Sequence, residues 1–220
     1  MTQPAHIWGR LSSLNVRKVV WAAQEVGVAF ERTDAGLAFG INKTPEYLRK
    51  NPNALVPLLE DGDFTLWESN VIVRYLCAKH AMDTLYPTDL RERFDAERWM
   101  DWQQTTFNPD GFNAFYQLVR CAPKQRNAEL VRRSIAATEP LLAMLDEHMA
   151  QREFVGGPHF GMADIPLACE MHRWWGIGEA QFAACGVDRQ ALSAFAHVQR
   201  WYTQILKRPA ANGVLDLQLT

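Results

Sequence analysis

The chain has 220 residues, 48% of them hydrophobic and 22% charged, with a formal net charge of -2. That length accommodates one large domain or two small ones with a substantial core. The near balance of charge excludes a global basic field, so neither nucleic acid nor an anionic membrane surface is an expected partner. The N-terminus, MTQPAHIWGRL, lacks the basic head and apolar core of a signal peptide, and no apolar run approaches the roughly 18 residues of a membrane span. A cytoplasmic location follows as an expectation. Cys77, Cys121, Cys169 and Cys185 are scattered without CxxC or Cys/His ligand spacing, which reads as reduced thiols in or near the core and no metal site.

Taken in chain order, the first part alternates short strand-like runs with helical ones. HIWG reads as a strand, Asn15 to Val26 as a helix, Val28 to Arg32 as a second strand, and Pro45 to Lys50 as a short helix. A hairpin follows over Val56 to Trp67, then a helix from Asn70. In the hairpin, Asp61-Gly62 fits a two-residue turn because glycine supplies positive φ at no steric cost. Pro57 cannot donate to a ladder, so Val56-Pro57 belongs at an edge or where the chain enters the sheet. An edge is where an extended peptide can pair.

Met82 to Thr88 reads as a linker, and beyond it the apolar residues recur at helical spacing almost to the end. The predicted helices are Leu90 to Arg120, bent near Asn108-Pro109-Asp110-Gly111, then Arg126 to Ala150, Met162 to Trp175, and Arg189 to Lys207. The fold class is therefore α+β: a βαβαββα domain over residues 1–82, followed by an all-helical domain over residues 89–220.

The stretch Asn51 to Tyr75, NPNALVPLLEDGDFTLWESNVIVRY, has Val-Pro opening a strand and Glu-Ser at the start of a helix. A second, weaker signal is GMADIPL, from Gly161 to Leu167. Both resemble the cytosolic glutathione transferases, the theta, phi and related bacterial groups most closely. The resemblance covers nearly the whole chain and implies a thioredoxin-like first domain that binds glutathione as co-substrate. It also implies a cis Val56-Pro57 peptide, with the Val56 backbone pairing with the cysteinyl unit of glutathione as an added strand. A homodimer is implied as well, with Asp101 and Gln103 as candidates to approach glutathione across it.

The charged pair ending the quoted stretch has two readings. Ser69, before an apolar helix, is a good structural N-cap. A helix N-terminus is also a ready site for a carboxylate, and the resemblance implies that Ser69 holds the γ-glutamyl carboxylate while Glu68 faces the ammonium. The family often carries a basic residue or Gln just before Val-Pro, where this chain has Leu55. Lys43 and Arg10 are the available substitutes, each otherwise a solvated surface charge. In the second stretch Gly161 stands in the cap position, and Asp164 can reach back to its N–H, a structural role.

Between the first strand and the first helix, GRLSSLNVRKVVW carries the family's activating position, and by resemblance this falls on Ser13, with Asn15 as a second donor and Ser12 beside them. On the residues alone, Ser12, Ser13 and Asn15 serve equally well as caps of the following helix. The chemistry is quantitatively adequate. A thiol of pKa near 8.5 is about 3% thiolate at pH 7, and lowering it by two units takes roughly 2.7 kcal/mol. A hydroxyl bond to an anion supplies about 1.5–3 kcal/mol and a helix N-terminus about 0.3–1 kcal/mol. No cysteine lies in this loop, so the nucleophile comes with the ligand.

For the second substrate the resemblance points to a small apolar electrophile lined by aromatic residues of the first long helix, with Phe107, Phe112 and Tyr116 chosen around the expected bend. His172 and Arg173, beside Trp174-Trp175, read as an ordinary polar helix face. The implied activity is conjugation of the glutathione thiolate to the electrophile. A glutathione-dependent reductase, dehalogenase or isomerase, or a non-catalytic glutathione-binding module, is the alternative on the same scaffold.

Overall fold

A computed structural model describes residues 4–220. The chain divides into two units: one runs through Arg93 and takes in Pro209–Asp216, the other holds Phe94–Arg208 and Leu217–Thr220. The expected division at residues 82–89 thus moves a little downstream, and the chain returns near its end to the first unit. There Gln24 Nε2 donates to the carbonyls of Ala210 (2.8 Å) and Asn212 (2.9 Å). Such a return leaves no periodic trace in sequence, because it rests on contacts between residues far apart in the chain.

The first unit contains the βαβαββα order. Its elements are β1 (Ala5–Trp8), α1 (Leu14–Glu25), β2 (Phe30–Thr33), α2 (Pro45–Lys50), β3 (Leu58–Asp61), β4 (Phe64–Trp67) and α3 (Ser69–His80). The sheet order is β2-β1-β3-β4, with β1 parallel to β2 and antiparallel to β3, and β3 antiparallel to β4. Central β1 and β3 bury Ala5, Ile7, Leu58 and Leu59. α1 and α3 pack together, each burying an apolar stripe that includes Val16, Val19 and Val20 on α1 and Ile72, Val73 and Leu76 on α3. α2 starts where its sequence dictates, with Thr44 accepting from Tyr47 N–H (3.3 Å) and Pro45 in the first turn.

The hairpin turn is one residue later than expected. Asp61 pairs with Phe64, so the two loop residues are Gly62 and Asp63. Gly62 has φ +65°, the first central position of a turn type that requires glycine there.

The second unit is helical. α4 (Leu90–Trp102) continues through a π-helical turn (Gln103–Phe107) into α5 (Asn108–Phe115), and a second π-helical turn (Tyr116–Arg120) ends the run. The expected bend at Pro109 is therefore taken up by widened turns on either side of α5, and Pro109 sits harmlessly at the start of α5. α6 (Ala128–Met149), α7 (Asp164–Trp175), α8 (Glu179–Ala183) and α9 (Ala196–Ile205) follow. The long last helix expected from Arg189 shortens to α9, and α8 was too short to register as a period.

α7 is buried along nearly its whole length. Its start is fixed by Asp164, whose carboxylate accepts the N–H of Gly161 (2.8 Å), Val155 (2.9 Å) and Trp201 Nε1 (2.7 Å). The reach-back to Gly161 is the bond expected from sequence. Among the described residues no helix is long and apolar enough to cross a membrane, and no cluster of side chains has the makings of a metal site.

Candidate active site

Strand register alone gathers three segments at one end of the first unit's sheet. Trp8 pairs with Leu58, and Leu58 pairs with Trp67. One residue further along each strand, Gly9, Pro57 and Glu68 lie side by side. Beyond them come the loop to Ser13, the entry residue Val56, and Ser69 at the start of α3. The Val56-Pro57 peptide is cis, as the resemblance implies.

Close approach at this end requires glycine. A Cβ on Gly9, which has φ +150°, would lie 2.4 Å from Val16 Cγ2 and 3.2 Å from Val56 Cβ. A Cβ on Gly36 would lie 2.6 Å from Arg10 Nη1 and 3.6 Å from both Val56 methyls. Arg10 is therefore half-buried beside Gly36 and Val56 rather than a solvated surface charge, whereas Lys43 is exposed. Leu55, in the position where the family often has a basic residue, is 64% exposed.

The approach to Val56 is braced by residues that sequence reasoning did not single out. Leu55 carbonyl accepts from Tyr47 Oη (2.6 Å) and Asn51 Nδ2 (2.9 Å), and Ala54 carbonyl accepts from Asn42 Nδ2 (2.6 Å). Burial pushes the Tyr47 hydroxyl up to about 12 against a smaller opposing effect of Asn51, so it stays a neutral donor. Asn51 opens the quoted motif and could have been noticed; Tyr47 sits within an ordinary helical pattern. Val56 itself lies outside the ladder, and among the described residues no hydrogen bond to its backbone is formed. Its N–H and C=O are available to an extended ligand.

Ser13 is the N-cap residue of α1 by backbone conformation (φ -90°, ψ 122°), yet its hydroxyl makes no capping bond. The capping reading of this serine thus fails, and the hydroxyl is left for another acceptor. The loop is held by other groups: Ser13 N–H donates to Arg10 carbonyl (3.1 Å), Arg17 Nε to Leu11 carbonyl (2.7 Å), and Arg32 Nη1 to Gly9 carbonyl (2.7 Å). Asn15, in the first turn of α1, carries a buried Oδ1 without a partner among the described residues. Ser12 is half-buried beside them.

At α3 the expected roles shift by one residue. The helix begins at Ser69, and Glu68 is its N-cap, with φ +72° and ψ 107° and no side-chain capping bond. Positive φ at a non-glycine residue costs about 1–3 kcal/mol and persists where surrounding structure imposes it, typically at ligand clamps. Here the Glu68 side chain is exposed and makes no capping bond to the helix it precedes. Ser69 is buried, and no acidic residue occupies the first turn of α3 to compete for its free N–H groups.

The first unit thus offers an unpaired backbone at Val56, where the chain enters central β3, an uncommitted hydroxyl at one helix N-terminus, and an acid beside a second helix N-terminus. A model of the "Glutathione S-transferase, N-terminal domain" family matches residues 3–78. Glutathione S-transferase GstB of Escherichia coli (strain K12) is 35% identical over 216 residues, 97% of this chain and 99% of that one. The chain is a member of the glutathione S-transferase family. Among solved structures, the theta class glutathione S-transferase of Xanthomonas axonopodis pv. citri with glutathione bound is 38% identical, with a TM-score of 0.90 and the whole of both chains covered. The probable glutathione S-transferase GSTF2 of Oryza sativa subsp. japonica is 26% identical, over 97% of each chain. The α+β fold, with a thioredoxin-like first unit and a helical remainder, is the family's.

The aromatic candidates of the second unit separate. Phe107 is fully buried, with its ring 5.6 Å from Trp102. Phe112 and Tyr116 are 45% and 46% exposed and stack at 5.7 Å with an interplanar angle of 27°. Helical spacing explains this: Gly111, Ala114, Phe115 and Leu118 continue the buried face, while Phe112 and Tyr116, four residues apart, share the opposite one. A ligand can reach Phe112 and Tyr116 and cannot reach Phe107. Gln103 is likewise fully buried, so it does not reach outward to a neighbouring subunit's glutathione. Arg173 is no solvated face either, being buried beside Glu170.

Proposed function

We propose that this chain conjugates the glutathione thiolate to a small apolar electrophile, with Ser13 as the catalytic hydrogen-bond donor. The observation that carries the reading is the uncommitted Ser13 hydroxyl at the N-terminus of α1, at the sheet end where Val56 keeps an unpaired backbone. The cysteinyl unit pairs with Val56 as an added strand, and its sulfur receives the Ser13 O–H. Thiolate is held rather than generated by proton abstraction, since a hydroxyl bond to an anion and the α1 N-terminus together match the roughly 2.7 kcal/mol that two pKa units demand. Asn15 supports the same loop as a second polar group, and Ser12 adjoins the thiol.

The γ-glutamyl end meets the α3 N-terminus, where Ser69 and the free N–H groups take the carboxylate and Glu68 the ammonium. Arg10 takes the glycyl carboxylate in place of a basic residue at position 55. Phe112 and Tyr116 contribute an exposed aromatic surface to the electrophile, and Phe107 supports it from within. The protein is a cytoplasmic homodimer on this reading, with no metal in the reaction.

The test is thiolate absorbance of bound glutathione in the protein, in Ser13→Ala and in Asn15→Ala, alongside conjugation to a generic aryl halide. Ser13→Ala is expected to lose the absorbance and most of the turnover while still binding glutathione. An unchanged thiolate signal in Ser13→Ala removes Ser13 from the mechanism.

A further inference from the structure

Behind the exposed Phe112 and Tyr116 pair lies a buried polar cluster that glutathione binding does not use. Glu170 on α7 is 1% exposed. One of its carboxylate oxygens accepts from Gln103 Nε2 at 2.6 Å, and the other takes the Arg173 guanidinium. Arg173 Nη2 also donates to the Asn108 carbonyl at 3.2 Å, and its guanidinium lies over the Phe115 ring at 5.6 Å. α5 rests directly on the pair: a Cβ on Gly111 would sit 3.7 Å from Arg173 Nη2 and 3.8 Å from Glu170 Oε1.

These bonds fall at particular places. Gln103 opens the first π-helical turn, Asn108 follows its last residue, and Phe115 directly precedes the second. Each contact from α7 therefore grips an end of a widened turn, with Phe112 on α5 between them and Tyr116 opening the second turn. A π turn in an otherwise α-helical run is rare and concentrates at functional sites. A buried ion pair is poor evidence of stabilisation, since well-packed apolar residues often serve as well; what it supplies is a fixed geometry.

We propose that Glu170 and Arg173 are positioning residues for the second substrate: through Gln103, Asn108 and Phe115 they hold Phe112 and Tyr116 as a stacked pair that selects planar aryl electrophiles over alkyl ones. A planar ring gains an offset-stacked or edge-to-face contact from such a pair, while an alkyl chain gains only buried area. The inference rests on the reading that Phe112 and Tyr116 meet the electrophile.

The experiment measures KM for an aryl halide, KM for glutathione, and the ratio of kcat/KM for an aryl over an alkyl halide. Wild type is compared with Glu170→Gln, with the charge-free double variant Glu170→Met/Arg173→Met, and with Tyr116→Ala as a control. Both cluster variants are expected to raise the aryl KM about tenfold and lower the aryl-to-alkyl ratio similarly, with KM for glutathione unchanged, since small misplacements of binding groups are costly. If Tyr116→Ala raises the aryl KM and the folded cluster variants do not, the positioning role is overturned and the aromatic surface stands. If Tyr116→Ala and Phe112→Ala both leave the aryl KM unchanged, the surface itself was misread. Failure of both cluster variants to fold assigns the cluster to folding and equally overturns the proposal.

Discussion

The Tyr47 hydroxyl donates to the Leu55 carbonyl at 2.6 Å, fixing the peptide that leads into Val56 from a helix two turns of chain away. This bond sets where the unpaired backbone at Val56 begins. Asn51 shares the same acceptor at 2.9 Å. Tyr47→Phe leaves that acceptor half-satisfied, an effect of about 0.5–1.5 kcal/mol. KM for glutathione is expected to rise about two- to tenfold with kcat at saturation little changed, which steady-state kinetics in varied glutathione checks.

Arg10 is half-buried against Gly36 and Val56, so its cation lies beside the unpaired Val56 backbone that the proposed ligand occupies. Arg10→Met keeps most of the stem packing and removes the cation. The expected result is a loss of glutathione affinity of about tenfold, the scale of a charge-assisted hydrogen bond, measured by titration calorimetry. Binding of glutathione amidated at its glycyl end should be affected far less.

Glu68 holds φ +72° at a cost of about 1–3 kcal/mol, so stability and ligand binding are set against each other there. Glu68→Gly relieves the conformation, and the melting temperature is expected to rise or stay level despite glycine's greater unfolded-state freedom. Glu68→Gln keeps the strained backbone and loses the charge. Both weaken glutathione binding, and the glycine variant melts no lower than the wild type, as thermal melting of the two will report.

Burial pushes the Asp164 carboxyl up to about 6 from an ordinary 3.8, against the opposing pull of the Val155 and Gly161 N–H groups and the Trp201 indole. A folded-state value above the unfolded one means that this group favours folding most below about pH 4, and that the contribution is lost as pH rises to about 6. Asp164→Asn cannot titrate and sets an amide against one of the three N–H donors, a cost of about 1–3 kcal/mol. Urea unfolding should show the variant less stable near pH 4, with its deficit shrinking as pH rises through 6.

Much of this was written locally. The alternation of β3 and β4, Gly62 in its turn, Thr44-Pro45 opening α2, and the Asp164 reach-back to Gly161 each involve residues within a few positions of one another, where φ preference, periodicity and capping act. The motif from Asn51 to Tyr75 likewise announced the family and placed Val56, Glu68 and Ser69 in one sentence of sequence.

The rest was decided by residues meeting across the fold. Whether Ser13 caps α1 or leaves its hydroxyl for a ligand depends on the backbone it is given, and a serine before a helix reads the same both ways. Glu68 takes the cap that Ser69 was expected to hold, because the pairing of Leu58 with Trp67 dictates where β4 must end. Arg10, which reads as a solvated charge or as a substitute for the cation missing at position 55, is half-buried beside Val56; Arg173, which reads as an ordinary polar helix face, is buried with Glu170. Local propensity operates over a turn or two of chain, whereas register and packing join positions as far apart as Gln103 and Glu170, 67 residues, or Gln24 and Asn212, 188 residues, and only the folded chain brings those groups within hydrogen-bond reach.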